Sequence, residues 1–108
     1  MRTGTCYEDA LRFVVRGGEG VLVHGTVYAG YPRREIRHAW VKLPTGVYEP
    51  GSDSLFSAEE FSRAFRPREE YCYSDAEAAV MSIRTGNFGP WTDAERRASS
   101  ITGSCKNF

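Results

Sequence analysis

Apolar positions along this chain recur with two periods. Cys6, Ala10, Phe13 and Val14 fall at the three- and four-residue spacing of one helix face, and Arg16-Gly17-Gly18 supplies a stop. Thr5-Cys6-Tyr7-Glu8 has the form of a capping box, so a helix is predicted from Cys6 to about Val15 with Thr5 as its N-cap. Val21 to Tyr28 is β-branched and aromatic and apolar on both faces, which predicts a central strand carrying His24. Ile36 to Leu43 alternates: Ile36, His38, Trp40 and Lys42 share one face, and Ala39, Val41 and Leu43 the other. Pro44-Thr45-Gly46 reads as a turn, Val47 to Pro50 as a short return strand, and Gly51 to Ser54 as a polar loop.

The second half continues the pattern. Ser57-Ala58-Glu59-Glu60 is another capping box, with Phe56 and Phe61 placed as a hydrophobic staple for a helix that Pro67 stops. Glu70 to Tyr73 predicts a strand. Ser74 to Glu77 opens a helix with Ala76, Ala79, Val80 and Ile83 on one face, closed by Gly86-Asn87. Thr92 to Glu95 is a further box before a segment of little apolar periodicity. The element order is that of an α+β protein. Residues 1–98 are expected to form one domain and 99–108 a flexible tail.

Composition narrows the classes. The chain has 108 residues, enough for one modest core. Its 14 basic and 14 acidic residues balance, so charge suggests neither a nucleic-acid nor a membrane partner. No apolar run reaches transmembrane length and no signal-peptide core is visible, which predicts a soluble, cytoplasmic protein. Cys6, Cys72 and Cys105 are an odd set without paired spacing, so neither a disulfide framework nor a metal site is expected, and no cofactor.

Three residues suggest chemistry. Cys6 opens a helix, where free N–H groups and the helix dipole favour a thiolate; equally, it can be a small hydrophobe beside Ala10 and Phe13. His38 lies on the alternating strand, as a base or as a half-buried histidine satisfied by a carbonyl. Glu49 on the return strand shares its face, as an orienting acid or as a surface partner of Lys42. A two-residue loop at Thr45-Gly46 opposes Lys42 to Glu49 and leaves His38 and Glu49 on the order of 13 Å apart, so a triad needs a wider loop. His24, with apolar flanks and Gly25 beside it, ranks below His38 as a base.

Cys6-Tyr7 with Ala10, then Val23-His24-Gly25, His38-Ala39-Trp40-Val41 and Val47-Tyr48-Glu49-Pro50, together resemble the papain-like and transglutaminase-like cysteine superfamily, in its small bacterial and phage forms. The resemblance covers Cys6 to Pro50. It implies an N-terminal helix carrying the nucleophile, packed on a small antiparallel sheet carrying the base, with additional C-terminal helices. It assigns Cys6 as nucleophile, His38 as base and Glu49 as orienter, where the family has Asp or Asn. No glutamine precedes Cys6 as an oxyanion donor, which leaves that task to N–H groups of the helix start. Trp40 is expected to wall a shallow substrate groove. The expected function is thiol-dependent acyl hydrolysis or transfer through a thioester on a peptide, protein or small amide; the alternative is a non-catalytic protein-binding or inhibitor module on the same fold.

Overall fold

The computed structural model describes residues 5–108. Helix α1 spans Cys6–Gly17 and ends where Gly18 adopts φ 65°, from which its N–H closes on the Val14 carbonyl. Strands β1 (Val21–Ala29) and β2 (Arg34–Leu43) form a long antiparallel hairpin. Strand β3 (Gly46–Glu49) returns along β2, and β4 (Ser54–Phe56) returns along β3. Helix α2 (Ala58–Phe65) leads into β5 (Arg68–Ser74), which pairs antiparallel with β1. Helices α3 (Asp75–Thr85) and α4 (Asp93–Ala98) follow, then a 3-10 turn at Cys105–Asn107. The sheet order is β4-β3-β2-β1-β5, which gives β1 partners on both sides, as its two apolar faces predict. This is an α+β protein with an N-terminal helix on an antiparallel sheet. Strand β4 has only three residues, too few for its alternation to be read from sequence.

Strand alternation sorts the core into two layers. Leu22, Ala39, Val41, Tyr48 and Tyr73 pack with Ala10, Leu11 and Val14 of α1 and with Ala78 and Met81 of α3. Val23, Val27, Trp40, Val47 and Cys72 pack on the other face with Phe61 of α2. Ser57, Ser74 and Thr92 close the capping boxes that the sequence predicts. Thr5 does not. Its hydroxyl donates to Asp9 at 3.0 Å, and Glu8 is drawn instead to Arg12, one turn on, at 2.8 Å.

Helix α3 turns the opposite way from its predicted stripe. Ala78 and Met81 are buried, whereas Val80 is 39% and Ile83 81% exposed. Apolar residues occupy both sides of this helix, so its periodicity is weak. The small Ala78 admits α1 closely and the flexible Met81 fills the remaining gap.

Residues 99–108, expected as a tail, are held against β5. Ile101 packs on the α1-side core, Cys72 N–H donates to the Gly103 carbonyl at 2.9 Å, and Cys72 and Cys105 are joined in a disulfide. The two cysteines lie 33 residues apart, a pairing that sequence spacing does not reveal. Among the described residues no helix is long and apolar enough to cross a membrane.

Two outcomes follow for stability. Met81→Ala is expected to destabilise by about 2–5 kcal/mol, and Ile83→Ala by less than about 0.5 kcal/mol, in urea denaturation. Equal effects would mean that α3 does not face the core through Met81. Opening the 33-residue disulfide loop, by Cys105→Ser, is expected to lower stability by about 2–4 kcal/mol on chain-entropy grounds.

Candidate active site

Register decides where the acid reaches. The β2–β3 pairs are Val41 with Tyr48, Lys42 with Val47 and Leu43 with Gly46, so the connecting loop is Pro44-Thr45. One step further along this register opposes Glu49 to Trp40, which makes His38 the diagonal neighbour of Glu49 on the same face. The predicted need for a wide loop is thereby corrected: a two-residue loop shifted by one residue brings the pair together. A diagonal is longer than a direct cross-strand step, and the extra methylene of glutamate spans it. His38 Nε2 and Glu49 Oε1 are 3.1 Å apart. Lys42 is engaged elsewhere, 2.9 Å from Glu69.

Glu49 is 1% exposed and its carboxylate is fully engaged. Besides His38, Oε1 accepts from Gly51 N–H at 3.1 Å, and Oε2 accepts from Ser52 N–H at 2.9 Å and from the Ser52 hydroxyl at 3.3 Å. Gly51 is required here: a β-carbon would sit 2.6 Å from Oε1. Burial alone raises the pKa of the Glu49 carboxyl, but the hydrogen bonds from His38 and Ser52 outweigh it, and the net shift is downward.

His38 is 8% exposed. Burial opposes its charge, yet hydrogen bonds with the Cys6 thiol and with Glu49, and the charges of both, carry its pKa up to about 9. Nε2 of the imidazole is committed to Glu49, and the Cys6 thiol is near enough to contribute to the upward shift. Helix α1 covers the Ala39–Val41 face, whereas His38 points to the Trp40 face. Groups from opposite faces can touch only at a margin. Strand β3 ends at Glu49, and among the described residues no strand flanks that edge of β2 beyond Trp40.

Cys6 is half-buried and is the free cysteine. Tyr7, next to it, hydrogen-bonds Arg37 and lies edge-on to His24 with ring centres 4.9 Å apart. His24 is 3% exposed, and burial, with the charges of Arg96 and Arg37, drives its pKa down to about 3. It is a neutral ring in a closed cage, as its ranking below His38 implies.

Trp40 does not wall a groove. It is 1% exposed, packed on Phe61 and roughly parallel to the His38 ring at 6.4 Å, because β2 directs it into the α2-side core. It packs alongside the His38 ring and is closed to solvent. The open concavity, about 890 Å³, runs instead along α1, floored by the stacked Phe13–Tyr48 pair at 3.9 Å and bounded by Pro50, Gly51, Ser52 and Asp53. It therefore borders the site through the same turn that clamps Glu49. Gly51 and Ser52 were missed from sequence, where they read as a polar loop, and Phe13 as core. Glu69, Cys72 and Cys105 are a set with metal-ligand chemistry, but both sulfurs are spent in the disulfide.

No protein-family model matches this chain, and no curated protein and no solved structure matches it.

The ion pair makes a pH-dependent contribution with opposite limbs. His38 is raised in the fold, so its stabilisation is complete below its ordinary value of 6.5 and is lost as pH rises through about 9. Glu49 is lowered, so its contribution is present above 4.5 and is lost as pH falls through its folded value. Thermal melts from pH 7 to 10 are expected to fall more steeply for the wild type than for His38→Gln. Parallel curves would show that the His38 charge contributes nothing.

Proposed function

We propose that the protein is a thiol-dependent acyl hydrolase or acyl transferase in which Cys6 is the nucleophile, His38 the acid–base group and Glu49 the orienting acid. The observation that carries this reading is the His38 imidazole bonded to a saturated, buried carboxylate, with the free Cys6 thiol near enough to help raise its proton affinity. A cationic imidazole beside a thiol favours attack as thiolate. Sulfur attacks the acyl carbonyl, the His38 proton passes to the departing amine as the carbon–nitrogen bond breaks, and a thioester remains. Water or an acceptor then attacks the thioester and gives its proton to His38 as the carbon–sulfur bond breaks, which restores the Cys6 thiolate beside the imidazolium. Glu49 takes no proton; it holds the ring and stabilises its charge. The first-turn N–H groups of α1 are suited to the tetrahedral oxyanion, since the Thr5 side chain does not cap them.

A peptide, protein or small amide is the substrate class this chemistry serves. The resemblance to papain-like and transglutaminase-like proteins adds the same order of nucleophile, base and acid. The disulfide favours an oxidising compartment over the expected cytoplasm. A second reading, a non-catalytic protein-binding module, is favoured by the exposed Val80 and Ile83 on α3.

The test uses p-nitrophenyl acetate and selective alkylation near neutral pH. An acyl-enzyme burst is expected, together with Cys6 as the site of alkylation. Cys6→Ala and His38→Ala should each abolish the burst, and the double variant should be no worse than either. Glu49→Gln is expected to reduce kcat/KM by about 10–100-fold, and Glu49→Asp should not restore it, because the shorter chain cannot cross the diagonal. A Cys6 that neither acylates nor alkylates would leave the binding module.

A further inference from the structure

We propose that residues 86–91, together with Tyr7, form an acid-labile lid over His24: protonation of this imidazole opens the segment while the sheet beneath remains folded. The inference stands independently of the acyl-transfer reading, because it concerns a histidine which that mechanism does not use.

His24 projects from the middle of β1 into the α1-side layer and is 3% exposed. Neither ring nitrogen has a hydrogen-bond partner among the described residues. Rings enclose it: Tyr7 at 4.9 Å and Tyr73 at 5.3 Å, both edge-on, and Trp91 at 5.1 Å. The remaining side is closed by backbone. Gly89, at φ 101°, lies so near that a β-carbon there would sit 2.6 Å from His24 Cε1.

The segment over the ring is held mainly to itself. Gly89 N–H donates to the Asn87 side chain at 2.9 Å, and Trp91 Nε1 donates to the Asn87 carbonyl at 3.2 Å. Its anchors to other elements are at its surface or its end: Arg96 of α4 donates to the Trp91 carbonyl at 2.7 Å, Asn87 Nδ2 donates to Glu95 of α4 at 3.4 Å, and Arg12 of α1 lies over the Phe88 ring. Toward His24 it offers packing. Gly86, Asn87, Phe88 and Pro90 are exposed, whereas Trp91 is buried in the α1-side core, so the exposed stretch lifts about Trp91 as its fixed end and the sheet stays packed.

The charged and titratable groups facing the ring decide its response. Tyr7 on α1 and Tyr73 on β5 are phenols that burial keeps neutral. Arg37 on β2 and Arg96 on α4 are cations, and both act against a second positive charge. The nearby carboxylates are turned to these arginines: Glu70 lies 3.8 Å from Arg37, and Asp93 pairs with Arg96. The attraction of a cation to aromatic faces is smaller than the hydration an unpartnered buried charge loses. The ring therefore takes a proton only when exposed. With a closed-state pKa of about 3 and an open-state value of 6.5, the open-to-closed ratio rises about 25-fold between pH 7 and pH 5.

The test is amide hydrogen exchange on the full chain, corrected for intrinsic rates, comparing peptides covering 86–91 with peptides from β1 and β2. The expected result is an increase of about 25-fold in opening of 86–91 from pH 7 to pH 5 with the strands unchanged. In His24→Phe, a ring that takes no proton, the increase should vanish. Should that variant not fold, the His24 ring signal in the wild type, followed by NMR, should titrate together with the amides of 86–91. The lid is overturned if protection of 86–91 is independent of pH, if His24→Phe keeps the response, if strands and lid lose protection together, or if the ring titrates near 6.5 while the lid stays closed.

Discussion

The buried pair of His38 and Glu49 is the interaction on which the arrangement of the site depends. A carboxylate and an imidazolium removed from water each lose hydration, and their attraction offsets that loss only if the remaining lone pairs are satisfied. Here they are. Both carboxylate oxygens are engaged, and the donors come from a turn, Gly51-Ser52, that immediately follows the strand bearing the acid. Turn, strand end and His38 are therefore one unit. The two-residue loop sets the diagonal, the diagonal requires glutamate, and the glutamate requires glycine two residues on. Each requirement is local, which lets a short chain place a charged group in its interior.

Trp40 belongs to the same unit from the other side. An aromatic two residues along β2 from the base necessarily shares its face. In a sheet covered by helices on both faces, that face is interior. The tryptophan packs on Phe61 of α2 and lies alongside the imidazole. The rotation of His38 is thus restricted by a core residue of the α2 layer.

Much of this was legible in sequence, and what was not has identifiable causes. Capping boxes at Ser57 and Ser74 located two helices, because a hydroxyl and a glutamate at that spacing satisfy two backbone donors whatever surrounds them, and the box at Thr92 opens α4, a helix that its weak apolar periodicity did not predict. At Thr5 the same pattern failed, since Asp9 and Arg12 compete for its members. Parity placed Glu49 on the His38 face correctly, because any odd register sum does so. The exact pairing depends on one residue of loop position, which turn composition does not fix. The buried side of α3 was misread because a helix apolar all round leaves the choice to its neighbours. The Cys72–Cys105 bond joins segments distant in sequence and has no local signal.

His24 and His38 lie on adjacent strands, and their ring chemistry diverges completely. The register pairs His24 with Ala39 and His38 with Gly25, so the two rings leave the sheet on opposite faces. His38 meets a thiol and a carboxylate, which stabilise its charged form against burial. His24 meets phenols, an indole and two arginines, which leave burial unopposed. Hydrophobic pattern treats both positions alike, since each is a polar residue inside an apolar strand. What separates them is the identity of the groups brought to each face, and those groups come from α1, the Glu49 turn, α4 and neighbouring strands. Proton affinity in this fold is therefore set by the groups each face presents, from the flanking layers and from neighbouring strands alike, while strand parity decides which face each ring meets.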